Sequence, residues 1–382
     1  MLVGSRRWSL ILFLGFHMAV SQASSPCPPA LHALLTPYQK WMQQVADRKE
    51  LRLMTWNVRN LYTSVGRYER QVTGLVKLSD KLAPIKSAES LRGLKHTIAS
   101  ADPDILILQE VESQISIQNF VSEYLDSKYM VFFASGNDPR GIGIAFLVKK
   151  DLPLTFELRL NAHERWIDPA KKAGQEPVPV FARDFPILIA RSPDPSESYN
   201  PVLMVGGVHF KAMNSRPGDP QSEAWVRAEA ERASEIIERL RKEFGSPLPL
   251  FVAGDFNRDP ADHEAIQNLI RSAGLLDSLD LAGVAPHSDA RTTFTVHNFQ
   301  PGEAGAEQGV KKLQLDSILV EQQLKDAIQD AHVMPLRDHR NDVLPLPKTK
   351  AERDANPSDH RPVVLRIDPK RLLQSQGLLP AP

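Results

Sequence analysis

The chain has 382 residues, with 46 Lys+Arg against 46 Asp+Glu, a formal charge of zero and 42% hydrophobic residues. That balance excludes a disordered polyelectrolyte, a collagen-like rod and a polytopic membrane protein, and it leaves no net positive field to hold phosphates non-specifically. A single cysteine, Cys27, can form no internal disulfide, so burial must hold the core together.

Residues 1–23 read as a cleavable signal peptide. Arg6 and Arg7 lead into an apolar run from Trp8 to Val20, and Ser21-Gln22-Ala23 offers small residues at the cleavage position. The run is shorter than the ~20 residues that span a bilayer. Export to a periplasm or the medium is the expectation, and cleavage would leave a net charge of −2. Residues 24–50 read as an N-terminal helical extension, with Leu31, Leu34, Leu35, Tyr38, Trp41, Met42 and Val45 at helical spacing over 31–49. Residues 51–367 then form the main domain, and 368–382 a C-terminal tail. Strands are predicted at Leu51–Trp56, Ile105–Leu108, Ile142–Val148, Pro186–Ala190, Val202–Val208, Leu248–Ala253, Thr292–Val296, Leu315–Val320 and Val363–Ile367. Helices are predicted over 89–100, 222–243 and 262–273; the clearest carries Val226, Ala233, Ile236, Ile237 and Leu240 as one apolar stripe. Loops are expected at 161–182, 192–201, 298–312 and 335–358. Strands interleaved with helices in this way suit one α/β domain built on packed sheets.

Polar residues recur where the strands end. Asn57 follows Leu53-Met54-Thr55-Trp56, Gln109-Glu110 follows Ile105–Leu108, and His209 follows Val205–Val208. Gly254-Asp255-Phe256-Asn257 follows Leu250–Ala253, Asp316 opens the strand after Leu315, and Ser358-Asp359-His360 precedes the last strand. Each has a plainer reading alone: Gly-Asp-x-Asn is good turn chemistry, and a lone histidine is more often a core hydrogen-bonder. If the strand ends converge, however, they gather Asn57, Glu110, Asp255, Asn257, Asp316, Asp359, His209 and His360. Carboxylates and amides are hard oxygen ligands suited to magnesium or manganese (Mg2+ or Mn2+). The sequence has no HExxH and no paired-cysteine spacing that would suit zinc.

Thr55-Trp56-Asn57-Val58-Arg59-Asn60, Leu108-Gln109-Glu110, Val208-His209-Phe210-Lys211, Gly254-Asp255-Phe256-Asn257, Leu315-Asp316-Ser317-Ile318 and Ser358-Asp359-His360-Arg361-Pro362 occur in that order. Through them the chain resembles the endonuclease/exonuclease/phosphatase superfamily over residues 51–367. The resemblance implies a four-layered α/β/β/α sandwich of two packed mixed sheets and metal-dependent phosphoester hydrolysis at one end. It implies Glu110, Asn57 and Asp359 as metal residues, and Asp255 as the group that deprotonates the attacking water, with Asn257 holding geometry. It also implies His209 and His360 as donors to phosphoryl oxygens, and Asp316 as the carboxylate that keeps His360 charged. Phe181-Ala182-Arg183-Asp184-Phe185-Pro186 is similar to a phosphate-contacting element of the deoxyribonuclease branch, which suggests Arg183; Arg140 is a second candidate.

The leading expectation is an exported phosphodiesterase with a nucleic acid (DNA or RNA) as substrate. Hydrolysis of a phospholipid, phosphoinositide or sphingomyelin head group is the alternative, and it would want exposed apolar loop tips such as Phe299. A non-catalytic binding module is a third reading, against which the complete set of site residues argues.

Overall fold

A computed structural model describes residues 36–63, 85–171, 174–194, 200–214, 216–297, 306–307 and 309–380. The expected signal peptide, Cys27 and Phe299 lie outside these residues. In chain order the first elements are α1 (Pro37–Ala46), β1 (Leu51–Leu61), α2 (Ala88–Ala101), β2 (Ile105–Val111), α3 (Gln114–Tyr124), β3 (Tyr129–Ala134), β4 (Gly143–Lys149) and β5 (Thr155–Arg159). Next come β6 (Arg165–Trp166), β7 (Val178–Pro179), β8 (Ile187–Arg191), β9 (Pro201–His209), α4 (Glu223–Phe244), β10 (Leu250–Asp255), α5 (Glu264–Ser272), β11 (Leu275–Asp277) and α6 (Ser278–Leu281). The last are β12 (Phe294–His297), β13 (Ala306–Glu307), β14 (Val310–Leu313), β15 (Asp316–Glu321), β16 (Ile328–Val333), α7 (Lys350–Ala355), β17 (Val363–Ile367) and α8 (Pro369–Ser375).

Two six-stranded mixed sheets result, ordered β16-β17-β1-β2-β4-β3 and β11-β15-β10-β9-β8-β5. Each has one parallel pair at its middle, β1 with β2 and β9 with β10, flanked by antiparallel neighbours. Alternate residues of one strand feed different layers. From β1 and β2, Leu53, Ile105 and Ile107 join Val205, Phe251 and Ile318 of the other sheet in a core between the sheets. Met54, Trp56, Leu106 and Leu108 instead pack with Leu94 and Ile98 of α2 and Ile117 and Phe120 of α3. On the far side, Leu250 and Val252 of β10 pack with Val226, Ala233 and Ile237 of α4 and with Ile266 of α5. The layers therefore run helix, sheet, sheet, helix. Gly207 sets how closely the sheets approach, since a Cβ there would lie 2.9 Å from the Phe146 ring.

Several segments read as irregular carry structure. The four outermost strands, β3, β5, β11 and β16, escape the sequence reading; β5 and β16 mix polar with apolar residues, and β11 spans only Leu275–Asp277. The expected loop 161–182 contains the short β6–β7 pair, 298–312 contains β13 and β14, and 335–358 contains α7. The strand expected at Thr292–Val296 belongs to neither main sheet; β12 joins a small sheet ordered β12-β14-β13. The helix expected over 31–49 is described from Pro37 and ends at Ala46. Residues 369–375, beyond the last strand, form α8, which Asp368 caps by accepting from Arg371 N–H. Its Leu373 packs with Trp41 and Val45 of α1. No helix among the described residues is long and apolar enough to cross a membrane.

Candidate active site

The ends of the central strands of both sheets meet at one place, and local backbone irregularity aims their side chains. β1 bulges between Asn57 and Leu61, and β2 between Gln109 and Val111. Arg59, Asn60, Glu110 and Asn257 all adopt left-handed φ, at 49°, 53°, 63° and 53°. Such strain in non-glycine residues persists only where surrounding structure enforces it, and it concentrates at functional sites. Gly254 has φ 151°, and a Cβ there would sit 2.0 Å from the Val208 carbonyl oxygen, so only glycine lets β10 turn Asp255 into the site.

Across the second sheet, Asp255 lies opposite His209 on one side and Asp316 on the other. Its Oδ1 accepts from Asn257 N–H at 2.8 Å, and its Oδ2 accepts from Asn57 Nδ2 at 3.0 Å. The same Oδ2 is 3.6 Å from His209 Nε2 and 4.0 Å from His360 Nε2. His360 Nδ1 donates to Asp316 Oδ2 at 2.7 Å. Thr293 Oγ1 anchors that carboxylate's backbone, accepting from Leu315 and Asp316 N–H at 2.9 and 3.1 Å. The His360 backbone is fixed from the first sheet: Trp56 Nε1 donates to its carbonyl at 2.9 Å, and its N–H donates to Ser358 Oγ at 3.1 Å. Ser358 Oγ in turn donates to the Asn57 carbonyl at 2.6 Å.

Glu110 and Asp359 complete the floor. Glu110 Oε2 accepts from Asn60 N–H at 2.9 Å, its Oε1 lies 3.4 Å from Asn57 Nδ2, and its side chain stays 15% exposed. Asp359 is 20% exposed and lies 3.7 Å from Arg59 Nε.

These surroundings move the titrations apart. Burial pushes the Asp255 carboxyl up, and neighbouring Asp316 adds to that against the His360 charge. For His360 burial pulls the other way, but Asp316 and Asp255 outweigh it and lift the imidazole to about 10. His209 falls well below its ordinary value through burial and the nearby charges of Arg183 and Arg140. One imidazole is thus cationic at neutral pH and the other neutral. Asp255, Asp316 and His360 bring ligand atoms within 4.8 Å of one another. A cationic ring donating through Nδ1 has no lone pair to give there, so this trio reads as an ion cluster, and the open carboxylates of Glu110 and Asp359 suit a cation better.

Eight of the residues expected from sequence are therefore brought together: Asn57, Glu110, His209, Asp255, Asn257, Asp316, Asp359 and His360. The two arginines stand apart. Arg183 is buried, 3.0 Å from Asp138 through Nε and donating to the Phe210 carbonyl at 3.2 Å, so it braces the segment after His209 from behind. Asp138 also takes the guanidinium of Arg140 at 3.0 Å, and Arg140 is the more open of the two. The sequence does not single out Asp138 or Thr293, and it gives Ser358, though part of the Ser358-Asp359-His360 motif, no role; Asp138-Pro139-Arg140-Gly141 is turn chemistry whose partner only the fold supplies.

The sequence profile of the Endonuclease/Exonuclease/phosphatase family matches residues 54–306. No curated protein sequence matches the chain. Among solved structures, an endonuclease/exonuclease/phosphatase family protein from Bacteroides thetaiotaomicron is 16% identical, covering 84% of this chain and 95% of its own, with a TM-score of 0.49. The human Nocturnin catalytic domain with bound sulfate is 18% identical, covering 84% and 94%, with a TM-score of 0.48. A mannosyl-6-phosphatase from Bacteroides thetaiotaomicron is 16% identical, covering 82% and 98%, with a TM-score of 0.47.

Proposed function

The chain belongs to the endonuclease/exonuclease/phosphatase family, whose members hydrolyse phosphoesters, and from that premise we propose an exported, divalent-metal-dependent nuclease acting on DNA or RNA. The observation that carries the hydrolytic part is the continuous polar floor from Asp316 through His360 and Asp255 to Asn57 and Glu110. Asp255 takes the proton of the attacking water, and its raised basicity suits that task near neutral pH. Asn57 and Asn257 hold its two oxygens, so the lone pair that receives the proton is fixed in direction. The water oxygen then bonds to phosphorus as the ester P–O bond breaks. The His360 imidazolium, aligned by Asp316, donates to a phosphoryl oxygen and offsets its growing charge. His209, neutral, donates through Nε2 on the same side.

Glu110 and Asp359, with Asn57 beside them, would hold the cation, and their hard, partly open oxygens fit Mg2+ or Mn2+. When bound, such an ion neutralises charge on a non-bridging phosphate oxygen and on the leaving oxygen.

Nucleic acid is favoured as substrate by the cations around this floor. Arg140 and Lys211 stand close enough to act on His209, and Lys86 feels both Glu110 and Asp359. Export rests on the N-terminal sequence alone. One observation favours a lipid phosphoester instead: Ile167 is 76% exposed on the 161–182 loop, and Met213 is also exposed on the 211–219 segment. Arg216 joins the two segments through Asp168.

The deciding measurement is turnover of duplex DNA, single-stranded DNA, RNA, sphingomyelin and phosphoinositides with magnesium or manganese, with and without chelator. Polynucleotide cleavage abolished by chelation is expected. Activity on lipid alone would overturn the nuclease reading, and full activity in excess chelator would remove the metal.

A further inference from the structure

A single peptide unit, the one between Phe210 and Lys211, joins the outer helix α4 to the hydrolytic floor. Its N–H, that of Lys211, donates to Glu229 Oε2 at 2.6 Å. Its carbonyl, that of Phe210, accepts from Asn257 Nδ2 at 3.0 Å and from Arg183 Nη1 at 3.2 Å. The other oxygen of Glu229, Oε1, accepts from Ala182 N–H at 2.8 Å, next to Arg183. A closed ring of contacts therefore runs from Glu229 through Ala182 and Arg183 to the Phe210 carbonyl and back through Lys211 N–H. Glu229 itself is completely buried, and both of its oxygens go to backbone N–H groups. Asn257 is the link from this ring to the chemistry. It holds a left-handed φ of 53°, its side chain is tied to the Phe210 carbonyl, and its N–H donates to Asp255 Oδ1 at 2.8 Å.

The N–H and C=O of a trans peptide share one plane and point opposite ways, so whatever holds the N–H aims the carbonyl. A charged acceptor on the N–H also polarises the unit and strengthens the bonds its carbonyl accepts. Burying a carboxylate is costly, and a glutamine would fill the same space without the charge. A glutamine, however, offers one acceptor oxygen and turns its NH2 toward the second N–H, whereas the carboxylate satisfies both. Without Glu229 the peptide unit is free to turn, the Asn257 side chain loses its acceptor, and nothing then enforces the strained backbone that points Asn257 N–H at Asp255. We infer that Glu229 is a positioning residue for the hydrolysis: it sets the plane of the Phe210–Lys211 peptide and, through Asn257, the direction of the Asp255 carboxylate. This deepens the hydrolytic reading and rests on it.

The test is a double-mutant cycle of Glu229→Gln and Asn257→Ala, read with bis(p-nitrophenyl) phosphate and Mn2+ above pH 7, where Glu229 is ionised. Glu229→Gln should lower kcat about tenfold, the worth of one charge-assisted hydrogen bond, with KM changed less than about twofold. In the Asn257→Ala background the same substitution should cost less than about twofold, because the link it acts through is already gone. A wild-type kcat, a loss confined to KM, or equal losses in both backgrounds would overturn the proposal. Should Glu229→Gln not fold, Glu229→Asp, which keeps the charge but is too short to reach both N–H groups, takes its place in the cycle with the same deciding outcomes. A second arm needs no turnover: hydrogen exchange of the Asn257 side-chain amide and the Lys211 N–H is followed by NMR. Both should exchange about tenfold faster or more in Glu229→Gln, while amides in the middle of β9 and β10 keep their protection. Unchanged exchange at Asn257, or equal acceleration along both strands, would make Glu229 a general stabiliser and overturn the positioning role. If wild type cleaves no phosphodiester while the exchange arm behaves as expected, the hydrolytic reading fails and the Glu229–Asn257 link stands.

Discussion

Asp316 is the residue whose effect on chemistry is most separable from its effect on fold. It is completely buried, one oxygen accepts from His360, and the other has no hydrogen-bond partner. His360 must carry its proton to donate to phosphate, so activity should fall as pH rises through its elevated pKa. Asp316→Asn keeps the shape and removes the charge that lifts this pKa. The alkaline limb of the rate–pH profile should therefore move to lower pH, while the acidic limb, set by deprotonation of Asp255, should stay closer to its place. An unmoved alkaline limb would dismiss the role of Asp316. The site was legible from sequence where each residue sits inside a strand-end motif, as Asp316 and His360 do. It was not legible where the partner is remote and carries no motif, which is why Asp138 went unseen and Arg183 was expected to face substrate.

At the scale of elements, the eight inner strands were readable and the four outer ones were not. Inner strands such as β2 and β10 are apolar on both faces and stand out as runs of Ile, Leu, Val and Phe. Outer strands such as β5 and β16 mix polar and apolar residues and look like loop. Nor did the sequence reveal how α4 grips the site. Its Glu229 is fully buried, accepting from Ala182 N–H at 2.8 Å and from Lys211 N–H at 2.6 Å, so one carboxylate ties down two segments beside His209 and Arg183. Burial lifts its pKa to about 7, against backbone hydrogen bonds that favour the ion. The folded protein thus holds this proton more tightly than the unfolded chain does. The associated stability is present in full below the ordinary glutamate range and is lost as pH rises toward 7. Asp184, lifted by burial to about 6, acts in the same direction. Urea midpoints should fall between pH 5 and pH 7.5, and Glu229→Gln should flatten that fall; an identical slope would refute the assignment.

For the whole molecule, stability and chemistry have different centres. The core between the sheets holds Phe146, fully buried against the face where Gly207 permits close approach. Phe146→Ala should cost about 3–5 kcal/mol of unfolding free energy, by calorimetry or denaturant titration, because a ring-sized hole opens between layers that cannot collapse. The floor itself draws on both sheets, and the order in which the chain supplies them matters. The second sheet is laid down entirely between the first four strands of the first sheet and its last two. Trp56 must find the His360 carbonyl across a separation of 304 residues, and Asn57 must find Ser358 across 301. Contacts that remote form late. During synthesis, then, a ribosome would carry the whole second sheet and most of the first before the Asp359-His360-Arg361 segment emerged. The hydrolase should therefore remain inert until the Asp359-His360-Arg361 segment has been made and has closed onto both sheets.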